Sequence, residues 1–89
     1  MMRPTHLRMA RAALDWTLTD LASRAGVNKN SISRYESGKE VIASTVHAIE
    51  TVLMKEGVVF FEDDIEFGTG IRLKKAKANL EKERNAKRK

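Results

Sequence analysis

The sequence predicts a mostly α-helical domain of four short helices, followed by a two-stranded β-hairpin and a basic tail. Three observations carry this expectation. Apolar residues recur at helical spacing from Leu7 to Leu14 and again from Val46 to Leu53. Between them, residues 18–38 read LTDLASRAGVNKNSISRYESG, two short helical patterns that meet across a glycine. Beyond Gly57 the run Val58-Val59-Phe60-Phe61 is β-branched and aromatic and too short for another helix, so it reads as a strand. The organisation that follows is a helical domain over residues 1–57, a hairpin extension over 58–74 and a tail over 75–89.

The first helix starts at Pro4, which suits a first helical position because its missing amide hydrogen has no partner there. It runs to about Asp15, with Leu7, Ala10 and Leu14 facing the core, Met9 or Ala13 beside them, and His6 and Arg8 outward. Trp16 follows as a half-buried cover for the helix junction. Thr17 caps a second helix, with the acidic Asp20 three positions on, and Leu21 and Ala22 give it an apolar face. Gly26 supplies the left-handed residue that ends it. Asn28 caps a third helix whose apolar positions are Ile32 and Tyr35, which leaves Lys29, Asn30, Ser33 and Arg34 on the opposite, basic face. Gly38 closes that helix.

The connection from Lys39 to Ala43 contains Val41 and Ile42, adjacent aliphatics that anchor either to the core or to a second subunit. A fourth helix begins at Ser44 or Thr45 and runs to about Glu56, burying Val46, Ile49 and Leu53 with Val52 alongside. The strand from Val58 is followed by an acidic stretch, a glycine-containing loop and the alternating Ile71-Arg72-Leu73-Lys74. These form a hairpin with a loop of about eight residues. Such a hairpin is marginal alone, so it packs on the helices or pairs with another chain through its edge. In the tail, Leu80 is the one large apolar residue among good helix formers, which predicts frayed helix or disorder.

With 89 residues and 42% hydrophobic content, the chain forms one small core. Cysteine is absent, so no disulfide or thiolate metal site contributes. No apolar run approaches the roughly 20 residues that span a bilayer, and residues 1–13 lack a signal-peptide core. A cytoplasmic protein without membrane association is expected. The net charge of +5 is unevenly spread: residues 72–89 hold nine basic and two acidic residues, and the rest is slightly acidic. The stretch from Arg24 to Lys39 is nevertheless net +3, so the face of the third helix is basic on its own account.

Two helices joined by a turn of three or four residues match the helix-turn-helix, whose second helix enters the DNA major groove. Residues 18–39 resemble the DNA-binding motif of phage repressor and Cro-type regulators, found in bacteria, prophages and mobile elements. Leu21-Ala22, Ala25-Gly26-Val27, Ile32-Ser33-Arg34, Glu36 and Gly38 stand at that family's spacing. The similarity covers about residues 4–61, and residues 55–60 and 70–73 are similar to a small single-domain branch with a C-terminal hairpin. The resemblance implies that Lys29, Asn30 and Arg34 read bases, joined by Ser33 on the same face, and that Thr17, Arg24, Asn28, Ser31 and Lys39 hold the DNA backbone. It also implies an ion pair between Arg11 and Glu36. One position departs from the pattern: Leu18 stands where many members have a phosphate-gripping glutamine.

The chemistry suits these roles, because Arg and Lys pair with guanine and Asn with adenine in the major groove. The expected function is a transcription regulator on double-stranded DNA, a homodimer on an inverted repeat, with Val41, Ile42, Phe60 and Phe61 as dimer candidates and Phe67 adding apolar surface. The tail either contacts phosphates or simply stays solvated. An enzyme is not expected: His6 and His47 stand alone, no phosphate-cradling glycine loop occurs, and the acidic cluster from Glu62 to Glu66 lacks the calcium-loop pattern. Neither metal nor cofactor is expected. The competing reading is an antitoxin or regulatory module that uses the same fold to bind a protein partner.

Overall fold

A computed structural model describes residues 2–75. The expectations for the tail beyond residue 75 lie outside the described residues. Four helices, α1 (Pro4–Leu14), α2 (Leu18–Ala25), α3 (Lys29–Glu36) and α4 (Ala43–Lys55), precede two strands, β1 (Val58–Phe61) and β2 (Gly70–Leu73). The strands pair antiparallel, with Val58 opposite Leu73 and Phe61 opposite Gly70. The architecture is the mostly helical one read from the sequence, hairpin included.

Each helix contributes few residues to the centre. Leu7 and Ala10 of α1, Leu21 of α2, Ile32 of α3, and Ile49 and Leu53 of α4 are fully buried, and Val58 carries the core into the hairpin. Around them Leu14, Trp16, Leu18, Tyr35, Val46, Phe60 and Ile71 are half-buried against the same cluster. Helices of eight residues, as α2 and α3 are, are too short to hold in isolation. Their stability comes from this shared apolar contact and from their caps. Of Met9 and Ala13, the two alternatives for the position beside the core stripe, Met9 is half-buried and Ala13 is exposed.

His6 corrects the sequence reading. Expected outward, it is fully buried. The Arg3 backbone N–H donates to its Nδ1 at 2.9 Å. A backbone amide can only donate, so Nδ1 is the unprotonated nitrogen and Nε2–H donates to the Phe61 carbonyl at 2.7 Å. The ring also meets Phe60 edge-on, centroids 5.2 Å apart. His6 thus starts α1 and docks the hairpin with one side chain. Helical periodicity counted it as polar surface, but the face it occupies is covered by a strand far along the chain. His6→Phe keeps a ring of similar volume while stranding the Arg3 amide and the Phe61 carbonyl. It should lower the unfolding free energy by about 1 to 2 kcal/mol in urea denaturation.

Met2 was also not foreseen as core. It is buried, its N–H donates to Glu50 Oε2 at 3.0 Å, and its carbonyl accepts from the Tyr35 hydroxyl at 2.6 Å. Burial and then the Glu50 charge push the Tyr35 hydroxyl above its ordinary range. The segment before α1 thereby clasps α3 to α4.

Candidate nucleic-acid interface

The interface is built from the start of α2, the turn after it and the outer face of α3. At the start of α2 the Thr17 hydroxyl accepts from the Asp20 amide at 3.0 Å, and Asp20 Oδ2 accepts from the Thr17 amide at 2.9 Å. This reciprocal box holds the entry angle of the helix. It also places a carboxylate at the helix N-terminus, where the helix dipole favours negative charge. The hydrogen bonds from Thr17, assisted by Arg24, hold the Asp20 carboxyl below the ordinary aspartate value of 3.8. A carboxyl with a lowered folded pKa contributes stability above its unfolded value and loses it as pH falls through the folded one. A carboxyl-detected NMR titration should therefore find Asp20 titrating below 3.8, and Asp20→Asn should remove that part of the acid dependence.

The turn depends on Gly26, which adopts φ 67°, ψ 35°. Glycine takes this left-handed conformation without the Cβ clash other residues incur. It allows the Val27 amide to close back on the Ala22 carbonyl at 3.1 Å, and Val27 packs on the core. The chain then reverses directly into α3, where the Asn28 side chain accepts from the Asn30 amide at 2.8 Å and satisfies a first-turn donor.

Ile32 points inward and is fully buried, and Tyr35 is half-buried beside it. With these two positions fixed, the helical repeat turns Lys29, Asn30, Ser33 and Arg34 to solvent, and all four are exposed. Ser31 is half-buried. A shallow groove lined by Thr19, Ser23, Asn28, Lys29 and Asn30 runs between α2 and the start of α3. Arg34 reaches the Glu40 carbonyl with Nη2 at 3.4 Å, a long bond that a stronger acceptor can displace. At the far end Gly38 adopts φ 82°, and the Lys39 amide returns to the Arg34 carbonyl at 2.9 Å. Lys39 is exposed just beyond.

α1 braces this surface from behind. Arg11 grips Glu36 with two parallel bonds, Nε to Oε2 at 2.5 Å and Nη2 to Oε1 at 3.0 Å, and its Nη1 donates to the Trp16 carbonyl at 3.0 Å. Hydrogen bonding to Glu36 pushes the Arg11 pKa above its ordinary range against the opposing cost of burial. Arg8 donates to the backbone carbonyl of the same Glu36. One end of α3 is therefore held through both its side chain and its main chain.

Two of the sequence-based candidates make contacts within the chain. Arg24 lies over the Trp16 ring, 4.4 Å from its centroid, so contacting a phosphate would compete with a cation–π contact. Phe60, a dimer candidate, has its ring against His6 and the core, because the hairpin folds its inner face onto the helices. Phe61 and Ile42 remain exposed, and Val41 is half-buried. Sequence reasoning missed Arg8 as a brace, since nothing in the local pattern tells an arginine that reaches a distant carbonyl from a solvated one.

Among the described residues no cluster of three or more potential metal ligands occurs, and no helix is long and apolar enough to cross a membrane. No curated protein sequence matches the chain. The family model described as a helix-turn-helix domain matches residues 5–53, from α1 into the last turns of α4. Domains of this kind are typical of DNA-binding regulators rather than enzymes. The match spans more than half of the chain and contains the whole of α2, the turn and α3, and the chain belongs to the helix-turn-helix domain family.

Proposed function

We propose that this protein is a sequence-specific transcription regulator of the phage repressor and Cro type, binding double-stranded DNA as a homodimer on an inverted repeat. One observation carries the reading: α3 is anchored by Ile32, Tyr35 and Glu36 while Lys29, Asn30, Ser33 and Arg34 stand exposed on one face. These are side chains that address base edges, on the helix that enters the major groove in this motif. Thr17, Asn28, Ser31 and Lys39, with Arg24, flank that face and serve the phosphates on either side of it. A single motif covers few base pairs, and two copies reading half-sites roughly 34 Å apart supply the length that specificity requires. The resemblance of residues 18–39 also supports a prophage or mobile-element origin for its gene.

The test is fluorescence anisotropy of the full chain against the DNA upstream of its own gene and a scrambled duplex, repeated from about 50 to about 200 mM salt. A preference of roughly 10³ or more that persists at the higher salt is expected for an operator-binding protein. Equal binding to both duplexes, collapsing with salt, overturns the reading and favours the protein-interaction alternative.

A further inference from the structure

The last turn of α3 carries two of the base-reading candidates, Ser33 and Arg34, and leads on to Lys39. Its four terminal carbonyls lie beyond the helical ladder and take donors from elsewhere. Three of them are met locally. The Ser33 carbonyl accepts from the Ser37 amide at 3.1 Å and the Ser37 hydroxyl at 3.0 Å, the Arg34 carbonyl from the Lys39 amide at 2.9 Å, and the Tyr35 carbonyl from the Gly38 amide at 3.0 Å. The fourth, that of Glu36, is met from another helix: Arg8 of α1 donates to it through Nη1.

The Arg8 guanidinium is held at a second point, since its Nη2 donates to Thr5 Oγ1 at 3.3 Å, one turn back on α1. Arg11 follows Arg8 by three residues, on the same face of α1, and takes the Glu36 carboxylate. Both cations thus sit at the end of α3 where the helix dipole favours positive charge. The two arginines differ in what they control. The Arg11 pair is half-buried and bears on stability, whereas Arg8 is exposed, and an exposed bond contributes little to folding. The leverage of Arg8 lies in its place. The carbonyl it holds ends the turn from which Ser33 and Arg34 project, while Lys29 and Asn30 stand at the opposite end of the helix, beside the Asn28 cap.

We propose that Arg8 is a positioning residue for sequence recognition: by capping α3 from α1 it fixes the turn that carries Ser33 and Arg34, and so sets selectivity at the bases they address without touching DNA. The inference rests on the operator-binding reading above and adds to it a residue that lies behind the reading face. The two in-chain bonds direct Nη1 and Nη2 of Arg8 to the Glu36 carbonyl and to Thr5 rather than to a phosphate. A bidentate base contact tolerates little misalignment, because its discrimination comes from two well-aligned bonds made together. Loosening the end of α3 therefore costs selectivity before it costs the fold.

Arg8→Met in the full chain keeps the apolar stem, removes the cap and tests this in two arms. In the free protein, amide hydrogen exchange should quicken at Ser37, Gly38 and Lys39 by roughly threefold or more, with the Leu21 amide and the urea midpoint essentially unchanged. On DNA, the anisotropy preference for operator over scrambled duplex should fall by roughly fivefold to 30-fold, all of it lost on the operator and with the salt dependence unaltered. Single base-pair changes should show selectivity lost where Arg34→Ala also loses it and kept where Asn30→Ala loses it. In an Arg34→Ala background, Arg8→Met should add nothing further. An equal fall on both duplexes with a salt slope reduced by about one makes Arg8 a phosphate contact and overturns the proposal. Full additivity with Arg34→Ala, or unchanged exchange at the three amides, overturns it as well. The preference of the unmodified chain is read first. Its absence sinks the operator reading, and the exchange arm still decides whether Arg8 holds the end of α3.

Discussion

Glu36→Ala is expected to lower the unfolding free energy by about 2 to 3 kcal/mol, a large share of the 5 to 15 kcal/mol that holds a typical domain folded. The side chains of Arg11 and Glu36 retain 24% and 12% of their exposure, which separates this pair from a solvated surface bridge worth at most about 1 kcal/mol. Removing the carboxylate leaves a half-buried guanidinium with its bond to the Trp16 carbonyl and no counter-charge. The cost lies below the 3 to 5 kcal/mol of a fully buried broken pair because water can still reach Arg11. Glu36→Gln, which keeps the shape and an acceptor, should lose about half as much. In the double variant Arg11→Met with Glu36→Leu, the loss should be smaller than the sum of the two single losses, since neither charge is then orphaned. Urea denaturation of the unmodified chain, Glu36→Ala, Glu36→Gln, the single variants Arg11→Met and Glu36→Leu, and the double variant measures these differences. Loss below 0.5 kcal/mol for Glu36→Ala would mean the bidentate contact is not maintained in solution.

The position of that pair matters because it sits on the end of the helix that presents the candidate interface. With Ile32 in the core, the Asn28 cap at one end and Arg8 and Arg11 holding Glu36 at the other, α3 cannot rotate about its axis without breaking a named contact. A preorganised face spends less of its binding free energy on ordering itself.

How much of this could be read from residues alone divides along the range of the interaction. The caps at Thr17 and Asn28, the left-handed Gly26 and the inward Ile32 are local, set by neighbours within one helical turn, and the sequence pattern carried them. The antiparallel hairpin was likewise legible, because β-branched and aromatic residues on one side and an alternating strand on the other bracket a turn-forming loop. His6, Met2 and Arg8 were not legible. Their partners lie at Phe61, at Tyr35 and Glu50, and at Glu36, and no periodicity within a helix encodes a contact that far along the chain. The Arg11 and Glu36 contact belongs to the same long-range class, and only resemblance to a known motif pointed to it. For the outer face of α3, the pattern specifies which side chains stand outward, and the bases each one meets depend on how the helix lies in the groove.

That dependence makes the paired substitution of Asn30 and Arg34 by alanine the most informative change on the candidate interface. Both side chains are exposed, and neither contributes to the core. The fold should therefore be unchanged, with a urea midpoint within about 0.5 kcal/mol of the unmodified chain. Each bidentate base contact is worth roughly 1 to 3 kcal/mol of discrimination, so the pair should cost roughly 2 to 6 kcal/mol on the operator, a loss of about 30-fold to 10⁴-fold. Binding to a scrambled duplex should fall far less, because the groups proposed to meet the phosphates, at Asn28, Lys39 and the start of α2, remain. Anisotropy on both duplexes at fixed salt separates the two effects. A parallel fall on operator and scrambled DNA would reassign Arg34 to the phosphates and Asn30 to a bystander. A selective fall would place both on base edges, and repeating the measurement with single base-pair changes in each half-site would then locate the positions they read.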